Sequence, residues 1–455
     1  MSLSAELIIV PPRGEPQAAA EFATRCVIEG IDFYFEEGDR LADAVPAGLS
    51  GVRAIVIEDD EVAPNADAIA KYVDAGAEVY RMRRANAATV PNATLSWNGD
   101  KTFHAICFDA DLTYRHPGFR RKMLDRPDQR LLTELGERVL NSENTRWYDA
   151  VRYQWAGMVD GYEITGDERF LRTASDQMLA AIDLIPNDLT NCDTVAPLNP
   201  MLRVYEQTRD QRLLDYSIRM FERYLEITPR WRGCLVNFIV YPNQARSEIL
   251  LQVLPGLMRL ARVTGKDHYA QVAMDQYAKL RPLLFNEERG LWHHGYGRGG
   301  RAQGFWARGV SFTLQGELHM LEQSRPADPH RELLLKSFQR GAASLTALQN
   351  SRGFWYGTVD EPDTQDESSG TAWMCGVLHL GMRLEFLGSE YQPAADRAWE
   401  AVKSRIWQGG YPGHMVGTGI CKNRSYYLKQ PLSDGGWSHF AYHAACERMR
   451  PQATP

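Results

Sequence analysis

The sequence predicts a multidomain protein, α/β plus all-α. A small doubly wound α/β domain spans residues 1–112, and an (α/α)6 toroid spans residues 113–455. Three observations carry that prediction. The first part alternates β-rich runs with helical spacing; from about residue 118 the strand signal largely vanishes; and there a helix–turn–helix unit begins to repeat.

In the first part, AELIIVPP, DFYFEEG, VRAIVIE, EVYRMR and AICFDA are rich in Val, Ile, Phe and Tyr and read as strands. EPQAAAEFATRCVIEG and NADAIAKYVDAGA carry helical spacing between them, which makes the sheet parallel. The pattern loosely resembles Rossmann-like and class I glutamine-amidotransferase-like α/β folds. The functional parts of those folds are missing. Cys26 lies within a helical stretch without flanking glycines, and PPRGEP follows the first strand in place of GxGxxG. A non-catalytic role is expected for this domain, as a lid, a spacer or a surface for homo-oligomerisation.

In the second part, GMVDGYEITGDERFLRTASDQMLAAI (157–182) is echoed by PMLRVYEQTRDQRLLDYSIRMFERYL (200–225) and by GLMRLARVTGKDHYAQVAMDQYAKL (256–280). Each unit is an apolar helix, a tight T-G-D-like turn and an amphipathic helix. Two looser copies follow, the opening helix RPDQRLLTELGERVLNS precedes them, and SHFAYHAACERM closes the chain, giving about twelve helices. Apolar helices alternating with amphipathic ones are the inner and outer rings of a toroid.

Bulk composition excludes several classes. Over 455 residues, 44% hydrophobic and 24% charged content supports a large core, and a net charge of −7 argues against a nucleic-acid partner. No apolar run approaches the ~20 residues of a membrane span. MSLSAELIIVPPRGE has no basic leader region, so no signal peptide is expected. The seven cysteines are scattered and odd in number, which points to reduced thiols and a cytoplasmic location. The eleven tryptophans and twenty tyrosines are numerous enough to line a carbohydrate site.

In a toroid the inner helices run parallel, so their N-terminal ends meet at one mouth. The residues there are RWYDAVRYQW, NCDTVAPLNP, YPNQARSEIL, GFWARGVSF, DESSGTAW and SDGGWSHF, which place Asp149, Asp193, Glu248, Arg308, Ser368, Ser369 and Asp434 at equivalent positions. Any one of them alone reads as an N-cap. Six in register, interleaved with Trp147, Trp155, Trp292, Trp306, Trp373 and Trp437, read as a site. Helix N-termini favour anions, and Arg308 adds a cation suited to a carboxylate.

With these residues in place, the chain resembles the unsaturated glucuronyl and rhamnogalacturonyl hydrolases over roughly residues 125–450. The resemblance rests on DTVAPLNPMLRVYEQT, on YPNQARSEILLQVLPGLMRLARVTGK, on GLWHHGYG followed by GFWARG, and on DESSGTAW. It implies an (α/α)6-barrel glycoside hydrolase that removes a 4,5-unsaturated uronic acid left by polysaccharide lyases. It also implies that Glu248 is the general acid/base and that Asp193 assists it. His293 or His294, Trp306, Arg308, Ser368 and Ser369 would bind the sugar, with Trp147 and Trp437 as further walls. Two departures stand out. Glu248 replaces an Asp, so that Asp149 in WYDAV is an alternative acid, and Phe312 stands where a Trp is usual.

The implied reaction is a hydration: a carboxylic acid protonates C4 of the C4=C5 enol ether, water adds at C5, and the hemiketal opens to free the aglycone. No cofactor is implied. No metal is expected either, because His293 and His294 are adjacent and HExxH is absent; His379 and His443 read as packing residues. Two alternatives stay open: a glucuronidase acting on saturated uronides through two carboxylates, and a non-catalytic carbohydrate-binding protein.

Overall fold

The computed structural model describes residues 7–10, 33–35, 54–58, 66–74, 78–83 and 102–104 of the N-terminal part. From residue 127 it describes all but 142–148, 184–189, 237–242, 407–410, 412–413, 416–421, 431, 434–437 and 452–455. The chain separates into two compact units, Met1–Arg126 and Pro127–Pro455. The stretch 105–126, which contains the expected boundary at 112, lies outside the described residues.

The first unit holds strands β1 (Leu7–Val10), β2 (Phe33–Phe35), β3 (Ala54–Glu58), β4 (Glu78–Arg83) and β5 (Thr102–His104), with helix α1 (Ala66–Asp74) between β3 and β4. They form one sheet in the order β2-β1-β3-β4-β5, and every pairing is parallel. Parallel neighbours require crossover connections, which is why β-branched runs alternate with helical spacing here. The last strand among the described residues is Thr102–His104; AICFDA and the expected helix over 15–30 lie outside the described residues.

The second unit is largely helical. Its helices are α2 (Asp128–Leu140), α3 (Asp149–Thr165), α4 (Glu168–Ala181), the short α5 (Cys192–Val195), α6 (Leu198–Thr208), α7 (Gln211–Ile227), the short α8 (Ile249–Gln252), α9 (Leu254–Thr264) and α10 (Asp267–Leu284). They continue with α11 (Ala307–Gln323), α12 (Arg331–Ala347), α13 (Ser368–Arg383), α14 (Gln392–Lys403), the short α15 (Arg424–Leu428) and α16 (Ser438–Met449). Helices α3, α6, α9, α11, α13 and α16 pack each on the next, and α16 returns to α3, closing a six-membered inner ring. Their outer partners are α4, α7, α10, α12, α14 and, for α16, the first helix of the unit, α2. The opening and closing helices of the sequence thus form the sixth pair.

Burial follows ring position. Helix α13 is buried without interruption from Ser368 to Leu378, whereas α7 buries one face through Leu213, Leu214, Ser217, Phe221 and Tyr224. The repeated turn has a shared local mechanism. Thr165, Thr208 and Thr264 each donate a hydroxyl hydrogen bond to the carbonyl four residues back, and the N–H two residues on bonds to that hydroxyl. The residue between, Gly166, Arg209 or Gly265, is left-handed, which ends one helix so that the next can reverse.

Candidate active site

Capping takes up only part of the polar set at the inner-helix tips. Asn191 caps α5 by accepting from the Asp193 N–H, so the Asp193 carboxyl is not spent on that helix. Glu367 caps α13, accepting from the N–H groups of Ser369 and Gly370. Glu248 sits at the cap position of α8, yet its side chain makes no capping bond.

Instead the Glu248 carboxylate turns inward. It is 7% exposed. Oε1 accepts from His294 Nε2 at 2.8 Å and from Arg246 Nη2 at 3.2 Å, while Oε2 has no hydrogen-bond partner. A small sheet sets this geometry. The strand Ala245–Arg246 pairs with Gly295–Gly297, and Ser247 N–H donates to the His294 carbonyl, which brings the imidazole to the carboxylate. Burial by itself would raise the proton affinity of Glu248; the Arg246 guanidinium and His294 outweigh it and hold the group well below the usual carboxylate range.

From His294 a continuous surface runs on. Its ring lies 4.7 Å from Trp306, and the Arg308 guanidinium covers the Trp306 ring at 4.4 Å. Arg308 Nη1 donates to Ser369 Oγ at 3.0 Å, and Ser369 Oγ donates to Glu367. Gly370 makes this junction feasible: a methyl group there would lie 2.8 Å from the backbone carbonyl carbon of Ala307, so the tips of α11 and α13 meet only because position 370 has no side chain. Further in, Phe312 packs edge-on to Trp373, Tyr153 packs against both, and His439 stacks on Tyr153 at 5.2 Å. Asp193 and Glu248 both lie within electrostatic reach of Arg246.

Glu248, His294, Trp306, Arg308 and Ser369 therefore form one contiguous set, with Asp193 near enough to act electrostatically on Arg246. Ser368 lies apart from that set: its hydroxyl accepts from Arg405 and its carbonyl accepts from the Tyr411 hydroxyl. His293 faces another way, with Nδ1 against the Ala302 carbonyl, Nε2 against Asn286 and its ring on Phe305. Adjacent residues in extended chain point to opposite sides, so only one of the two histidines can reach the carboxylate. Trp155 bonds Gln177 between α3 and α4, and Trp292 packs on Tyr277 and Phe285; both belong to the core and not to the mouth. Asp149 begins α3, but its side chain, like Trp147, Asp434 and Trp437, lies outside the described residues.

Arg246, Tyr153 and His439 were not legible as site residues. Arg246 stands two positions before Glu248 in QARSE, a pairing of opposite charges that becomes informative only once both are buried. Among the described residues one trio has metal-holding spacing: Asp160, His443 and Glu447. Guanidinium groups already occupy it. Arg203 pairs with Asp160 at 2.7 Å, Arg383 with Glu447 at 2.7 Å, and Arg450 reaches both acids. His439 and His443 are spaced four apart, as metal ligands can be, but they serve Tyr153 and Asp160 separately. Among the described residues no helix is long and apolar enough to cross a membrane.

Comparison with known proteins agrees with the helical ring. A family sequence model described as Glycosyl Hydrolase Family 88 matches residues 121–450. The unsaturated rhamnogalacturonyl hydrolase YesR of Bacillus subtilis (strain 168) is 23% identical over 300 residues, covering 62% of this chain and 83% of that protein. Among solved structures, one described as a possible member of the GH105 family from Klebsiella pneumoniae subsp. pneumoniae superposes with a TM-score of 0.65 at 21% identity, over 72% of this chain and 93% of that one. The unsaturated glucuronyl hydrolase of Bacillus sp. GL1 superposes with a TM-score of 0.54 at 20% identity, over 71% and 97%.

Proposed function

The chain belongs to glycosyl hydrolase family 88, and from that premise we propose that it releases a 4,5-unsaturated uronic acid from the non-reducing end of lyase-generated oligosaccharides. The observation that carries this reading is the Glu248 carboxyl, buried at the tip of an inner helix with Oε2 unpartnered beside Trp306, Arg308 and Ser369. An oxygen with no partner is available to pass a proton to a substrate atom. The names of the relatives, which specify unsaturated uronyl hydrolysis, support the substrate class.

In this mechanism the aromatic faces of Trp306, Phe312 and Trp373 exclude water from the sugar, and Arg308 with Ser369 orients it. Glu248 gives a proton to C4, and positive charge develops at C5 and the ring oxygen. Water adds to C5 and returns a proton to Glu248, with Asp193 assisting, and the hemiketal opens to release the aglycone. Asp149 is held in reserve as the alternative acid.

The N-terminal part, residues 1–112 by its sequence pattern, is read as a non-catalytic doubly wound domain offering a surface for homo-oligomerisation. Among the described residues four cysteines, Cys192, Cys234, Cys375 and Cys446, are buried and free of disulfides, which supports a reducing, cytoplasmic setting.

Incubation with an unsaturated uronyl disaccharide tests the function. Loss of the ultraviolet absorbance of the C4=C5 bond is expected. Inertness toward that substrate, with colour released from a nitrophenyl glucuronide, would replace hydration by ordinary glycoside hydrolysis.

A further inference from the structure

The pairing around Glu248 poses a chemical problem for the proposed reaction. The acid that must carry a proton to C4 is, in the free protein, an ionised carboxylate bonded to a guanidinium and an imidazole. Arg246 is itself only 6% exposed, and the carboxylates of Glu248 and of the half-buried Asp193 both act on it. If Glu248 takes up a proton, Arg246 loses a buried counter-ion, which is costly unless another anion replaces it. The substrate brings such an anion at C6, one bond from the reacting C5.

Arg308 is less suited to that anion. Its guanidinium already faces Glu367 at 3.9 Å, donates to Ser369 and lies over Trp306. Glu367 is in turn committed to capping α13. Among the described residues, His294 on the adjoining hairpin and Cys192 on α5 also act on Glu248, and Asp193 acts on Cys192 and Arg246; Tyr224 on α7 faces Cys192, Arg246 and Asp193. Of these, only Arg246 is both cationic and directly bonded to the acid.

We infer that Arg246 exchanges partners during the reaction: it leaves Glu248 to bind the substrate carboxylate, and Glu248 thereupon takes a proton from solvent and becomes the acid that protonates C4. This rests on the unsaturated-uronide reading above. The exchange balances. One proton enters Glu248 on binding and passes to C4; the water that adds to C5 returns one to Glu248; when product leaves, Glu248 gives that proton up to solvent and Arg246 comes back to the carboxylate. A neutral sugar, lacking the anion, would not arm the enzyme, so Arg246 would act as a specificity device for uronates.

Wild type, Arg246→Met and Arg246→Lys are compared on an unsaturated uronyl disaccharide and on its C6 methyl ester. For Arg246→Met, kcat/KM on the acid is expected to fall about 100-fold or more, with activity on the ester held or improved. Arg246→Lys, which keeps the charge but not the two-pronged geometry, should fall between. Independently of any variant, titration of wild type with a saturated, unreactive uronate in buffers of differing ionisation heat should show uptake of about one proton per ligand, and none with the methyl ester. Equal losses on acid and ester would overturn the inference, as would binding of the uronate without proton uptake. If Arg246→Met fails to fold, the lysine variant and the wild-type titration decide. Wild type inert toward the unsaturated acid would refute the functional reading itself.

Discussion

Gly316 of α11 lies against the carbonyl of Leu250 so closely that a methyl group at 316 would sit 2.2 Å from that oxygen. Leu250 belongs to α8, the short helix that begins just after Glu248, so the seat of the acid rests directly on an inner helix. The obstacle is backbone on both sides and cannot rotate away. Gly316→Ala should therefore destabilise the fold by about 1–3 kcal/mol and lower kcat by up to ~100-fold through displacement of Glu248. Urea unfolding and steady-state kinetics check this; unchanged values for both would mean that α8 is not held where it is described.

Glu248→Gln keeps the shape and a carbonyl oxygen to accept from His294 but cannot cycle a proton. Activity is expected to fall roughly 1,000-fold, with the helical circular dichroism kept and the melting temperature lowered, because Arg246 loses its buried counter-ion. A near-normal rate in this variant would transfer the acid role to Asp149 or Asp193.

His293 is held neutral in the folded state. Burial pulls it from 6.5 to about 4, against the opposing bond from the Ala302 carbonyl. Between those values the unfolded chain binds a proton that the folded chain does not. The stability it confers is thus fully present above pH 6.5 and is lost as pH falls toward 4, by up to ~3 kcal/mol. His379, drawn down to about 4 by burial, acts in the same direction. Denaturant melts of wild type and His293→Asn at several pH values check the sign, since the variant should show a shallower acid decline; parallel declines would remove His293 as a cause.

Glu317, fully buried in α11, shows the opposite linkage. Burial raises it from 4.5 to about 8, while the hydrogen bond from the Tyr277 hydroxyl to Oε1 works the other way. The folded chain therefore keeps a proton that the unfolded chain has lost, and stability declines as pH rises from 4.5 to 8. Glu317→Gln, neutral at every pH and still able to accept from Tyr277, should gain about 1–3 kcal/mol over wild type at pH 8. The gain should vanish near pH 4.5. A variant less stable at pH 8 would show that the carboxyl is ionised and paired in the fold.

The helical ring was legible because its signals are local. Thr-Gly-Asp and Thr-Arg-Asp mark the turns through bonds no longer than one helical turn, and apolar periodicity tells inner helices from outer ones. The pairing of α2 with α16, from opposite ends of the unit, needed the closed ring to become visible.

The sequence by itself determined which side chains stand at the inner-helix tips, since a cap position and the first turn are set by their neighbours in the chain. It could not determine where those side chains turn. Ser368 and Ser369 are adjacent, as are His293 and His294, yet one of each pair faces the cavity set and the other packs behind it. It could not show either that Arg246 and His294, distant in sequence, converge on one carboxylate. Only the tertiary structure decides this, because excluding water from Glu248 is what lets a guanidinium and an imidazole, separated along the chain, govern a single proton.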